Sequence, residues 1–153
     1  METTTSRRNF WSQAIAVALV IVGLLILFIQ AQTKPLDSSN LKIPVANSRS
    51  YAAAAQLLID RTQEDKVTQT FFEAQTIMLR DKAEQVLKEL ESAKVESGLE
   101  MKLWQARQFA RELKTHLDEL QSSFTNTPHL KELKHQLEEL TPRLKELEST
   151  LAE

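Results

Sequence analysis

Residues 127–151 read TPHLKELKHQLEELTPRLKELESTL, in which a leucine recurs at every third or fourth position. This alternation places the leucines on one side of an α-helix, at the a and d positions of a heptad repeat. The stripe consists of Leu130, Leu133, Leu137, Leu140, Leu144, Leu147 and Leu151. It predicts an all-α protein in which another helix covers the terminal one.

The same stretch contains a repeat, because the heptapeptide TPHLKEL returns fourteen residues later as TPRLKEL. Thr127 is placed as a helix cap, and Pro128 fits the first helical position, where proline is tolerated. Pro142 falls inside the pattern at an outer position, although proline removes a backbone hydrogen bond there. We expect one kinked helix, the alternative being a helix that ends at Leu140 and restarts at Pro142.

A second stripe with the same spacing precedes the first and predicts a helix that ends near Gln121. Gly98 can adopt the left-handed conformation that ends an earlier helix near Val95. Ser97 and Glu100 form a capping-box pattern for the next helix. The short turn predicts a long antiparallel hairpin. The stripe consists of Leu99, Leu103, Ala106, Ala110, Leu113, Leu117, Leu120 and Phe124.

Residues 51–95 are expected to form the first arm of this hairpin. Ser50 can cap a helix that starts at Tyr51 and continues through an alanine run. The polar residues 61–66 fit either a solvated turn of one continuing helix or a break between two, and both remain open. Helical spacing then returns up to about residue 95 in Phe71, Phe72, Leu79, Ala83, Val86, Leu90 and Ala93.

Residues 31–50 show no helical period. Pro35, Pro44 and six Ser or Asn residues between positions 32 and 50 are typical of an extended tether. The alternation of apolar residues in LKIPV (41–45) also allows a short strand added to the sheet of another protein. The helical domain is accordingly expected to occupy residues 51–153.

Residues 14–29 are uncharged and almost entirely aliphatic, within 25 uncharged residues between Arg8 and Lys34. About twenty residues of helix span the 30 Å hydrocarbon core of a bilayer. The sequence predicts a short tail over residues 1–9 and a single transmembrane anchor over residues 10–30. Representative anchor residues are Trp11, Ala14, Leu19, Gly23, Leu27 and Ile29.

The alternative for this segment is a cleaved signal peptide. The apolar region of a signal peptide usually runs about 7–15 residues, so the longer run here favours an uncleaved signal-anchor. Arg7 and Arg8 flank its amino side closely, whereas Lys34 and Lys42 follow it. The positive-inside rule then places the amino terminus in the cytoplasm and the helical domain outside, in a bacterial periplasm or an equivalent space.

Composition argues against several classes of function. The formal net charge of −2 is too small to attract a polyanion, so no nucleic-acid partner is expected. The absence of cysteine excludes disulfides and thiolate chemistry. The two glycines lie 75 residues apart, which leaves no glycine-rich phosphate loop. His116, His129 and His135 match no metal motif, and we expect no catalysis, cofactor, metal or small-molecule substrate.

Burial of each leucine contributes on the order of 2 kcal/mol, so something must cover the terminal stripe. The cover is the chain's own helix, a second copy or another protein. We expect a single-pass scaffold or adaptor of the cell envelope that is anchored in the lipid bilayer. It is expected to act through coiled-coil contacts of the leucine seam, either with a protein partner or by self-association. The alternative is a periplasmic sensor or chaperone-like binding module with a self-contained hairpin. The order of a short inner tail, a single anchor, a tether and leucine-rich helices is similar to that of envelope proteins such as phage inner-membrane spanins and small divisome proteins. The similarity includes no shared motif.

Overall fold

Four α-helices make up most of the structure, a computed structural model that describes residues 35–152. The helices are α1 (Ser38–Gln63), α2 (Gln69–Ser92), α3 (Glu100–Leu120) and α4 (Thr127–Thr150). Within residues 35–152 the one sheet-like pairing is an isolated bridge between Leu36 and Val95. The predicted all-α class is confirmed for this part of the chain.

Consecutive helices run antiparallel, and α4 returns to α1. At one end of the α1–α4 pair, the hydroxyl of Ser38 donates to the carbonyl of Leu151. At the other end, Lys134 Nζ lies 2.6 Å from the carboxylate of Asp60. Short connections between antiparallel neighbours give an up-down-up-down four-helix bundle. The predicted α2–α3 hairpin forms one half of it.

Each helix contributes a buried stripe in which the spacing alternates between three and four residues. The α4 stripe is the one predicted above. The others are Leu41, Val45, Ser48, Ala52, Ala55, Ile59 and Thr62 on α1, Phe72, Thr76, Leu79, Ala83, Val86 and Leu90 on α2, and Leu103, Ala106, Ala110, Leu113, Leu117 and Leu120 on α3. Because the four stripes face one another, residues 35–152 have a core of their own.

Three hydroxyl groups belong to these stripes, those of Ser48, Thr62 and Thr76. Each donates to the carbonyl four residues earlier in its own helix, at 2.8 or 2.9 Å. A buried polar group that is hydrogen-bonded avoids the penalty of desolvation without a partner. These hydroxyls therefore occupy core positions without a hydrogen bond to a neighbouring helix.

The prediction of an extended tether up to residue 50 is wrong for residues 38–50, which form the first half of α1. The helix starts there because Asp37 caps it: its Oδ1 accepts the backbone N–H of Asn40 at 2.8 Å. Pro44 lies buried inside the helix. Burial of the stripe outweighs the loss of one backbone hydrogen bond at this proline.

The alternative of an added strand at residues 41–45 is also wrong. Leu41 and Val45 are buried one helical turn apart, whereas Ile43 faces solvent. Ser50 does not cap a helix; its hydroxyl donates to the carbonyl of Ala46 within α1. The helical domain therefore begins thirteen residues before the predicted start at position 51.

The polar stretch after residue 60 is a break between two helices. Asp65 adopts a positive φ of 54° in the turn, and Thr68 caps α2 by accepting the N–H of Phe71 at 3.3 Å. In the next connection Gly98 has the predicted left-handed conformation, with φ of 96°. Ser97 is not the cap of α3, which begins after Leu99 without a side-chain cap.

Helix α4 is continuous through Pro142, as the favoured prediction had it. Pro128 lies in the first turn as expected. The cap of α4 is Asn126 rather than Thr127, since Asn126 Oδ1 accepts the N–H of His129 at 3.2 Å. Pro142 is exposed, so its ring does not disturb the buried leucine stripe.

The two ends of the bundle are named here the base and the tip. The base holds Pro35, the starts of α1 and α3 and the ends of α2 and α4; the tip holds the α1–α2 and α3–α4 connections. At the base, the N–H of Leu36 donates to the carbonyl of Lys94 at 2.7 Å, and its carbonyl accepts the N–H of Glu96 at 3.1 Å. The segment before α1 is thereby fixed to the α2–α3 connection.

The predicted anchor over residues 10–30, including Trp11, Gly23 and Ile29, lies outside the described residues and stays a prediction. Among the helices of residues 35–152, none combines the length and the apolar character needed to cross a bilayer. This finding concerns the bundle alone.

Candidate interaction surface

The eleven leucines predicted to mediate helix packing or an interface all lie in the interior of the bundle. None of them is more than 5% exposed. They are Leu103, Leu113, Leu117 and Leu120 on α3, and Leu130, Leu133, Leu137, Leu140, Leu144, Leu147 and Leu151 on and just after α4. Neighbouring helices of the same chain cover the terminal stripe, which answers the question that the sequence left open.

The large apolar side chains that remain exposed fall into two groups. Four of them lie in the second half of α1 or the first half of α2, towards the tip: Leu57, Phe71, Ile77 and Met78. The other three, Ile43, Met101 and Trp104, lie towards the base. Contiguous exposed apolar surface marks a site of interaction more often than scattered single residues do.

Three members of the first group, all except Ile77, line a cavity of about 260 Å³ between α1 and α2. Leu57, Phe71 and Met78 form its walls, and the buried side chains of Leu58 and Leu79 form its floor. Leu57 and Phe71 are 56% and 50% exposed. We call this surface the α1–α2 groove; it is open to solvent and almost entirely apolar.

Each wall residue directly precedes a buried residue in the sequence. Leu57 precedes Leu58, and Met78 precedes Leu79. Successive residues on a helix point about 100° apart, so each pair supplies both a core residue and a groove residue. These pairs are the sequence signal that could have revealed the groove.

The same relation corrects the prediction for Phe71, which the helical pattern assigned to the buried side. Phe72 occupies the core position, and its ring packs against that of Phe124 at 5.3 Å between centroids. Phe71 directly precedes it in the sequence and remains exposed at the surface. Two adjacent aromatic residues cannot both follow a single stripe.

One charged side chain lines the groove, that of Arg61 at the tip. Its Nη1 lies 3.4 Å from the carboxylate of Glu64, which also accepts a hydrogen bond from Lys66 Nζ at 2.9 Å. This hydrogen bond to Lys66 lowers the pKa of Glu64 below its ordinary 4.5. Arg61 is therefore the charged side chain of the groove lining, and it is paired with a carboxylate of the adjoining turn.

The histidines do not assemble a metal site. Glu112 pairs with Arg143 at 2.8 Å, and Asp118 pairs with Lys114 at 2.6 Å, so the carboxylates nearest His116 in sequence are engaged elsewhere. Residues 35–152 contain no group of three His, Asp or Glu side chains arranged to hold a metal ion. The surface of the bundle is otherwise a mixture of solvated ion pairs.

The second exposed group includes Met101 and Trp104, which are 66% and 55% exposed in the first turns of α3. Ala106 and Ala110 make the middle of the α3 stripe thin, and an aromatic side chain beside them, Trp104 or Phe109, would cover its flank. Phe109 does so and is half-buried, with the Arg143 guanidinium 4.6 Å from its ring centroid. Trp104 does not, since most of its indole faces solvent.

Comparison with protein-family models, with curated proteins and with solved structures finds no match to this chain. The function therefore has to be argued from the side chains of the chain itself. Of these, the apolar walls of the α1–α2 groove and the exposed side chains at the base are the features that the packing of the bundle does not explain.

Proposed function

We propose that this chain is a single-pass, membrane-anchored adaptor without catalytic activity, which binds a helix of a partner protein in the α1–α2 groove. One observation carries the proposal: the leucine stripes close on one another within the chain, whereas Leu57, Phe71 and Met78 remain exposed around a cavity. This favours the binding-module alternative over a scaffold that assembles through its leucine seam.

The anchor and its orientation are part of the proposal. They are supported by the apolar run of residues 14–29 and by the arginine pair on its amino side. In this arrangement the bundle lies outside the cytoplasm, held at the membrane of a cell envelope. The bilayer and one protein are then the two partners of the chain.

An amphipathic helix suits the groove better than an extended peptide. Two antiparallel helices leave an elongated depression between them that accepts the apolar face of a third. Met78 adds a flexible side chain that adapts to the shape of a partner. Because Arg61 is the charged side chain that lines the groove, the partner helix is expected to carry an acidic side chain opposite it.

Site-specific photo-crosslinking in the full-length chain, in its native membranes, tests the groove. The photoreactive residue replaces Gln75, which lines the groove, or Gln85, an exposed residue further along α2. We expect an adduct with one other protein from position 75 and none from position 85. Mass spectrometry of the adduct should locate the contact in an apolar-striped helix with an acidic end.

Matched substitutions make this test specific. Leu57→Ser should abolish the adduct, whereas Ile43→Ser, at an equally exposed leucine-sized side chain outside the groove, should leave it unchanged. An adduct of twice the mass of the chain would contradict the proposal, because the groove would then bind a second copy. An adduct that survives Leu57→Ser would also contradict it.

Alkaline extraction tests the anchor separately. If the chain is an integral membrane protein, it should stay with the membrane pellet. If the bundle lies outside the cytoplasm, protease added to the outer face of intact inner membranes should digest it. Release of the chain into the supernatant would refute the anchor. Digestion only after the membranes are opened would refute the orientation.

A further inference from the structure

We infer that Met78 is a site of reversible oxidation that regulates the α1–α2 groove. Conversion of its thioether to a sulfoxide prevents the partner helix from binding, and reduction restores binding. The inference rests on the proposed function, because it concerns regulation of the same groove. The modifying agent is a two-electron oxidant such as hydrogen peroxide.

Methionine is the only sulfur-containing residue type of the chain, which has three methionines and no cysteine. An oxidant that attacks thiols in other proteins finds none here, and methionine is the other side chain with a reversible oxidation step at sulfur. Met78 and Met101 are the two methionines of the described residues. Oxidation at sulfur within residues 35–152 is therefore confined to these two positions.

The side chain of Met78 is accessible to a small oxidant in the folded bundle. Met78 is 40% exposed, and it lines a cavity that is open to solvent. Leu79, which directly follows it, is only 4% exposed and holds the core position. Oxidation of Met78 therefore changes the wall of the groove and leaves the packing of the core intact.

The reaction adds one oxygen atom to the side chain. The sulfur of Met78 forms an S–O bond with one oxygen of hydrogen peroxide, the O–O bond breaks, and the second oxygen leaves as water. The sulfur loses two electrons and the peroxide gains them, so the step needs no other reactant. The product carries a polar S=O group in place of an apolar thioether.

The S=O group opposes binding because the groove is apolar. Apart from Arg61 and Gln75, every residue that lines the cavity is apolar. In the free groove, water donates hydrogen bonds to the sulfoxide oxygen. An apolar helix face that covers the groove removes this water and leaves the acceptor without a donor. We expect the affinity for the partner helix to fall about tenfold.

Met101 provides an internal comparison. It is 66% exposed, so peroxide reaches it at least as readily as it reaches Met78. Met101 is not part of the cavity lining. Its oxidation should therefore leave binding in the groove unaffected, and any effect specific to the groove has to follow the oxidation state of Met78.

Partial oxidation of the full-length chain in its native membranes tests the inference. Membranes that carry the photoreactive residue at position 75 are treated with hydrogen peroxide and then irradiated. Mass spectrometry should find Met78 sulfoxide about tenfold less often in the adduct than in the free chain, and Met101 sulfoxide equally often in both. Methionine sulfoxide reductases, added before irradiation, should restore the yield of adduct.

Matched substitutions test the effect without an oxidant. Met78→Gln places a polar side chain of similar length in the wall and should lower the yield of adduct about tenfold. Met101→Gln should leave the yield unchanged. In Met78→Leu, whatever its initial yield, peroxide should not lower the yield further, whereas Met101→Leu should remain sensitive. Equal yields from the two glutamine variants would overturn the inference, provided that both unfold at the same temperature as the parent chain.

The untreated chain separates the two levels of the proposal. If position 75 gives no adduct before oxidation, the proposed function fails and the inference falls with it. If the adduct forms, the proposed function stands and the inference is tested alone. It is wrong if Met78 stays unoxidised where Met101 is oxidised. It is also wrong if Met78 sulfoxide is equally frequent in the adduct and in the free chain.

Discussion

The guanidinium of Arg107, on α3, closes the carboxyl end of α2 by donating from Nε to the carbonyl oxygen of Leu90 at 2.8 Å. Its Nη2 also donates to the carbonyl of Ala93 at 3.0 Å. The last carbonyls of a helix have no partner within the helix, and the last turn of α2 has no basic residue of its own. A neighbouring helix supplies the missing donor.

Replacing this guanidinium should therefore destabilise the bundle. We expect Arg107→Ala to lower the free energy of unfolding of residues 35–153 by about 1–3 kcal/mol, measured by urea denaturation, because carbonyls at the end of α2 lose a charged donor. Arg111→Ala is the control. Arg111 makes an exposed ion pair with Glu91, so its loss should be below about 1 kcal/mol. Equal losses would contradict the capping role.

Pro142 offers a stabilising substitution. Helix α4 passes through it without interruption, and its ring is exposed, so Pro142→Ala restores a backbone hydrogen bond without creating a cavity. We expect the free energy of unfolding to rise, by at most about 3 kcal/mol, in urea denaturation. Pro128→Ala, in the first turn, should have little effect. A Pro142→Ala variant no more stable than Pro128→Ala would contradict this reasoning.

The bundle of residues 35–153 should be a monomer, since its leucine stripes are already buried. Sedimentation equilibrium should give the mass of one chain at every concentration. Leu140→Ala should lower the free energy of unfolding by about 2–5 kcal/mol without changing this mass, because it leaves a cavity in the core. Leu57→Ala, in the groove, should change stability by less than about 1 kcal/mol. A mass that rises with concentration would show that the stripes exchange between chains.

The ion pair between Lys134 and Asp60 predicts a loss of stability at alkaline pH. The hydrogen bond to Asp60 raises the pKa of Lys134 above its ordinary 10.5. A raised pKa means that folding favours the protonated form. The contribution is therefore complete below pH 10.5 and is lost as the pH rises through the pKa of the folded state.

Urea denaturation between about pH 8 and about pH 11 measures this effect. Lys134→Met should reduce the alkaline decline, and Lys145→Met, at an exposed lysine of the same helix, should not. On the acid side, the hydrogen bonds from Lys66 and Lys88 lower the pKa values of Glu64 and Glu84. Their small contributions are lost as the pH falls below about 4.5. An alkaline decline that is identical in both lysine variants would exclude a role for this ion pair.

The terminal helix was predictable because every position of its stripe is leucine. The start of α1 was not, because its stripe contains the polar residue Ser48 and Pro44 lies within the same turns. In a sequence, a Ser or Thr within a stripe looks like a polar interruption of the helix. In the structure, its hydroxyl can donate to a backbone carbonyl of the same helix and so remain buried. The cap at Asp37 was the local signal that would have placed the start of α1 correctly.

The location of the candidate site could not be read from the periodicity of single helices. Phe71 and Leu57 both follow helical spacing, and a stripe pattern does not tell the last buried position from the first exposed one. That distinction depends on which two helices become neighbours and on how closely they approach. The predicted leucine interface rests on the same pattern, which is common to core packing and to assembly.

The hydrogen bonds from side chains of one helix to backbone carbonyls of another gather at the base, where Ser38, Lys102 and Arg107 donate to the ends of α4 and α2. At the tip, the bond between α4 and α1 joins two side chains, those of Lys134 and Asp60. The apolar groove residues Leu57, Phe71 and Met78 carry no donor, so their substitution takes no side-chain hydrogen bond from a helix end. The residues around the groove can thus diversify, by evolution or by design, while the hydrogen bonds at the base maintain the fold.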